Sequence, residues 1–185
     1  SPDLIILHYG LNIVKNVRDD YAYYKKGLSR QLTLLSEIVP GIPVLVISVT
    51  DMALKEGDSL RSYQNIPYIL TAQAEAAKET GAQFWDAYKA MGGAGSIIAW
   101  AGKKPPQAQQ DYVHFTYSGA DTLSKMLVNE IINTDTGDIS SAPPQVYVAD
   151  TIRYEGAVYE DPPGVAGRES SGIGSLMQMV FRYDP

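Results

Sequence analysis

An α/β protein built on a parallel sheet is the fold class this sequence predicts, and three observations predict it. Leu4–Tyr9 and Val44–Val49 are continuous rather than alternating apolar runs, which marks strands buried on both faces. Between and after them, apolar residues recur at spacings of three and four, the period of amphipathic helices. The resulting order is strand, helix, strand, helix, strand, long loop, helix. Consecutive parallel strands joined by right-handed helical crossovers satisfy that order.

The first strand ends at Gly10-Leu11-Asn12. Asp19 and Asp20 then offer a helix N-cap, and Tyr21, Tyr24, Leu28, Leu32, Leu35 and Val39 form the apolar stripe that follows. Pro40-Gly41 stops this helix. The second strand closes at Thr50-Asp51, and a polar loop is expected from Met52 to Asn65. Asn65 can cap the next helix, with Pro67 in its first turn. Ile66, Ile69, Leu70, Ala74 and Ala77 line its buried face, and Gly81 stands where a C′ glycine belongs. Gln83–Asp86 is a short third strand. Residues 87–110 hold Gly92, Gly93, Gly95, Pro105 and Pro106, with a short helix expected near Ser96–Trp100. A connection this long in a compact domain is usually a functional loop. Thr116 caps a last helix that buries Ala120, Leu123, Leu127 and Ile131.

Three units follow: a domain over 1–133, a linker rich in Thr, Ser, Asp and Pro over 134–145, and an extension over 146–185. In the extension, Val146–Tyr159 is expected as a hairpin and Ser175–Tyr183 as a short apolar segment. The chain opens on what reads as a central strand, so an apolar sheet edge is expected beside it. A missing N-terminal half of the domain, a second copy of the chain or Val146–Tyr159 would cover that edge.

Composition narrows the function. The 185 residues are 45% hydrophobic and 19% charged, the profile of a globular protein. A net charge of −6 with no basic block argues against nucleic-acid binding. With no cysteine and two histidines far apart, no metal site and no cofactor are expected. Thirteen tyrosines against three phenylalanines suit a glycan-facing surface, though tyrosine also serves strands.

Chemistry concentrates in Asp111-Tyr112-Val113-His114-Phe115-Thr116. A histidine at a loop-to-helix junction, with a carboxylate three residues before it, is either the arrangement of a hydrolase general base or a surface Asp and a capping His on an ordinary loop. In the first, the imidazole takes a nucleophile's proton, and the carboxylate sets its tautomer and steadies the imidazolium. Ligands of parallel sheets bind beyond the carboxyl ends of the strands, where Asn12, Asp51 and Asp86 fall. Asn12 reads as a turn former from its position alone. Asp86 is the alternative acid to Asp111, and Asp51 is expected to organise its own turn. His8 lies inside the buried run and reads as a core histidine. Trp100 and the tyrosines either wall a sugar site or pack under the long loop.

On Gly10-Leu11-Asn12 and Asp111-x-x-His114 the chain resembles the SGNH, or GDSL-type, hydrolases. Gly10-x-Asn12 looks like their third sequence block, whose Asn donates to the oxyanion hole. Asp111–Thr116 looks like the fifth block, which carries the acid and the base. Residues 92–100 and 111–119 look most like the branch that contains bacterial peptidoglycan O-acetylesterases. The resemblance covers about residues 3–133 and implies the flavodoxin-like, three-layer α/β/α fold of that superfamily, without its first strands. It departs from the pattern at Ile13, where an acid is usual. The first block, with the nucleophilic Ser, precedes the third in this family, so the chain looks like the C-terminal half of the catalytic domain and the nucleophile is expected outside it. Gly57-Asp58-Ser59-Leu60 spells the first block literally. It lacks the buried strand that a nucleophile elbow needs, so Ser59 is read as a loop serine.

The resemblance implies a serine esterase that removes O-acetyl groups from a cell-envelope glycan, in the periplasm or at the cell surface. His114, Asp111 and Asn12 would be the base, its orienting acid and an oxyanion donor. Two alternatives stand beside it. Met179–Pro185 resembles the start of membrane-bound O-acyltransferases, which would make the domain an acetyl-transfer partner of a membrane-associated acyltransferase. A glycan-binding or scaffold module that has lost its nucleophile is the other.

Overall fold

A computed structural model describes residues 2–134 and 178–179. Its main sheet has the order β5-β2-β1-β6, with β1 at Ile5–His8, β2 at Val44–Ile47, β5 at Gln83–Trp85 and β6 at Gln178–Met179. β1, β2 and β5 are mutually parallel, in the register Leu7↔Val46↔Phe84. Every residue of β2 is buried, as its continuous apolar run requires.

Helices cover both faces. On one side, Leu28 and Leu32 of α2 (Ala22–Ile38) and Ala76 and Ala77 of α3 (Ile66–Thr80) pack on Leu7, Val44 and Val46. On the other, Leu45 and Ile47 meet Ala87 and Met91 of α4 (Ala87–Met91), Ile97 and Trp100 of α5 (Ser96–Ala101) and Leu123 of α6 (Tyr117–Thr134). Alternate residues of one strand thus feed two cores, and the three-layer α/β/α architecture follows. Thr116 caps α6 through its Oγ1, which accepts the Gly119 N–H at 3.2 Å. No helix among the described residues is long and apolar enough to cross a membrane.

Several local expectations need correction. Gly10-Leu11-Asn12 does not simply end a strand: Leu11–Val14 winds one helical turn, α1. Residues 52–65 are not an irregular loop. They form a hairpin of β3 (Ala53–Glu56) and β4 (Ser59–Ser62), closed by Gly57 at φ 60 and clasped by Arg61 on Glu56. Asp20 precedes the cap of α2, which is Tyr21, and accepts the Ala22 N–H instead. Asn65 stands at the N-cap of α3 without capping it; its amide donates to the Val14 carbonyl and the Tyr21 hydroxyl. The buried face of α3 runs through Ala72, Gln73 and Ala76, with Ala74 only half-buried. Ala120 is exposed, and α6 turns Gly119 and Met126 inward beside the expected Leu123 and Leu127.

Within the described residues, β6 lies along the outer edge of β1. Gln178 and Met179 pair antiparallel with Leu7 and Ile6, so part of the segment expected as apolar and short joins the sheet as a strand. The linker beyond Thr134 and the hairpin expected at Val146–Tyr159 lie outside the described residues.

Candidate active site

Because β1, β2 and β5 run parallel, Asn12, Asp51 and Asp86 share the carboxyl edge of the sheet. The loop over 107–116 returns to that edge. Gln107 and Ala108 donate their N–H groups to the Trp100 carbonyl, and Gln109 N–H donates to the His114 carbonyl at 2.8 Å. Ala108 and Phe115 form a β-bridge. At the tip, Tyr112 takes φ 57, a left-handed conformation costly for a residue with a Cβ. The Tyr112 N–H donates to the Gln109 carbonyl at 3.1 Å, and the Tyr112 carbonyl accepts the Ala53 N–H at 3.1 Å, just past β2.

That turn sets the Asp111–His114 pair. Asp111 Oδ1 accepts the backbone N–H of Val113 at 3.0 Å and of His114 at 3.1 Å. Its Oδ2 lies 2.6 Å from His114 Nδ1. Partial burial pushes the Asp111 carboxyl up, but hydrogen bonds from the His114 ring and the two backbone N–H groups, with the imidazolium charge, outweigh it and hold the carboxyl below the usual range. A carboxylate bound at Nδ1 places the proton there and frees Nε2 to accept. Among the described residues nothing hydrogen-bonds Nε2, and the ring is 69% exposed.

Asn12 sits on α1, exposed, at the end of β1. Leu11 and Ile13 on either side of it pack in the cluster that also holds Val49, Tyr88 and Val113. The turn bearing Asn12 and the loop bearing His114 are therefore joined through one apolar patch. Burial, with the carboxylates Asp51 and Asp86 nearby, raises the Tyr88 hydroxyl above its usual range.

Among the described residues, the other candidates make no hydrogen bond to the Asp111–His114 pair. Asp86 caps α4, accepting the Lys89 N–H at 2.8 Å. Asp51 is fully buried. Rather than ordering its own turn, it accepts from the Ser62 hydroxyl at 2.9 Å and the Ile97 N–H at 3.1 Å, tying β4 to the start of α5. His8 lies in β1, its imidazole held below the usual range by burial. Trp100 is 3% exposed and tilts against Phe115 with ring centroids 5.7 Å apart, so it packs under the loop and offers no face to a sugar. Ser59 is exposed on the β3–β4 hairpin. Among the described residues no serine hydroxyl hydrogen-bonds His114. Sequence reasoning passed over Gln73, whose one available signal was an amide inside the apolar stripe of α3.

No protein-family model matches the sequence, and no curated protein matches it. Solved structures do. A peptidoglycan O-acetylesterase superposes with a TM-score of 0.64 at 24% identity, over 71% of this chain and 37% of that one. A variant of Axe2, an acetyl-xylooligosaccharide esterase from Geobacillus, gives a TM-score of 0.49 at 19% identity, over 70% of this chain and 59% of that one. The first of these likenesses establishes a common fold, the parallel-sheet α/β/α arrangement of the described residues. The chain spans about 37% of the length of that first structure.

Proposed function

We propose that these residues supply the acid–base and oxyanion side of a carbohydrate O-acetylesterase, acting outside the cytoplasm on a cell-envelope glycan. The observation that carries the reading is the Asp111–His114 pair, with Nδ1 held at 2.6 Å by a carboxylate and Nε2 left available. In this reading the nucleophilic serine comes from outside the 185 residues. Its Oγ attacks the acetyl carbonyl while His114 Nε2 takes its proton, and Asp111 steadies the imidazolium. The Asn12 amide donates to the oxyanion. Collapse of the tetrahedral intermediate releases the sugar hydroxyl, protonated by His114. Water, deprotonated by the same ring, then frees acetate from the serine.

The test is hydrolysis of 4-nitrophenyl acetate by the intact protein and its His114→Ala variant. Loss of a general base from a triad costs on the order of 10⁴ to 10⁶ in kcat. Activity retained within tenfold would sink the assignment.

A further inference from the structure

The turn that carries Asn12 leaves no room for a side chain at Gly10. Gly10 lies at φ 112. A Cβ there would come within 2.8 Å of the Tyr24 hydroxyl, 2.9 Å of Val49 Cγ1 and 3.2 Å of Gln73 Nε2. The backbone of the turn is packed against the amide of Gln73.

Gln73 is fully buried on α3. Its Oε1 accepts the Val49 N–H at 2.9 Å. Its Nε2 donates to the Tyr9 carbonyl at 3.0 Å and to the Tyr24 hydroxyl at 3.1 Å. The β1–β2 ladder ends at His8↔Ile47, so the Tyr9 carbonyl and the Val49 N–H lie beyond its last rung. Buried backbone groups need partners, and one side chain serves both. The amide accepts at one strand end and donates at the other while staying neutral at any pH. The Tyr9 carbonyl belongs to the peptide that enters Gly10. Gln73 therefore fixes the point from which α1, and Asn12 with it, projects.

We propose that Gln73 is a positioning residue for the oxyanion side of the site, clamping the Gly10–Asn12 turn to the end of β2. The proposal rests on the reading of Asn12 as an oxyanion donor. A donor displaced by about 1 Å loses much of its catalytic worth, on the order of 10²-fold, while substrate binding elsewhere is kept.

The experiment is a double-mutant cycle in the intact protein, with kcat and KM measured on 4-nitrophenyl acetate for Gln73→Met, Asn12→Ala and both together. Gln73→Met keeps the length and removes the amide. Its expected effect is a loss of about tenfold or more in kcat with KM within about twofold, shrinking to less than about twofold in the Asn12→Ala background. Equal losses in both backgrounds, or no loss in kcat, would overturn the role of Gln73 and leave the donor reading standing. An Asn12→Ala variant with unchanged kcat would sink the donor reading, and the clamp with it. If Gln73→Met does not fold, Gln73→Glu decides. Its carboxyl can donate to the Tyr9 carbonyl only when protonated, so its kcat relative to wild type should rise as pH is lowered. A flat ratio refutes the clamp.

Discussion

Asp111→Asn separates the chemical from the structural work of the acidic loop. In the structure the two oxygens of Asp111 do different jobs. Oδ1 holds the Val113 and His114 N–H groups, and Oδ2 faces His114 Nδ1. Asparagine keeps an oxygen for the first job and presents an NH₂ to the ring. That NH₂ donates, so Nδ1 must accept and the ring proton moves to Nε2, where it blocks proton abstraction. A buried triad carboxylate lost in this way costs about 10⁴ in kcat. Asp111 is 43% exposed on its side chain, and water at that edge weakens the preference for the wrong tautomer. We therefore expect a loss of roughly 10³, or about 4 kcal/mol of transition-state stabilisation. The assay is kcat on 4-nitrophenyl acetate with the intact protein, alongside the melting temperature. Asn should leave the fold intact, whereas Asp111→Ala should also lower the melting temperature, because two backbone donors lose their acceptor. Activity of Asp111→Asn within threefold of wild type would refute the tautomer argument.

The remaining predictions are brief. Gly119→Ala should prevent the domain from closing, since a Cβ there would lie 1.8 Å from the Gln107 carbonyl oxygen; a cooperative melt near the wild-type temperature would contradict it. Ser59→Ala, on the exposed hairpin, should change neither esterase activity nor fluorophosphonate labelling of the intact protein; loss of both would make Ser59 the nucleophile after all. The Asp111 carboxyl is held below the usual range, so the stability it contributes is complete above the unfolded carboxylate's titration and is lost as pH falls through its own. Amide NMR shifts of Val113 and His114 should therefore hold through the range in which a free aspartate protonates and change only below it.

The strands of the parallel sheet were legible because burial on both faces leaves a continuous apolar run, as in Val44–Ile47. The β3–β4 hairpin was not, because its exposed positions are polar and its turn depends on Gly57 at a positive φ, which resembles any glycine in a polar stretch. Gln73 escaped for a related reason. A polar residue inside a helical stripe reads as a break, and its hydrogen-bond partners, Val49 and Tyr9, lie far away in sequence. Asn65 was legible as the residue before α3, but its partners Val14 and Tyr21 were equally distant. At the site, the pairing of Asp111 with His114 was legible from a spacing of three residues. What aims the pair was not, since a tyrosine gives no notice of a left-handed turn at position 112. Trp100 was undecided from sequence because stacking on a sugar and packing on Phe115 call for the same residue type.

The contact of Gly119 with Gln107 has a consequence for how the loop can vary. The Gln107 carbonyl also accepts the Thr116 N–H at 3.1 Å, so the loop's two feet stand on one another and His114 hangs between them. A clasp of that kind fixes chain length. One residue added or removed between the feet would rotate the imidazole away from the sheet edge, however well the rest of the domain folded. Within this loop, then, the clasp fixes length just as the chemistry fixes Asp111 and His114. Differences in what the site accepts have to come from segments without such a clasp.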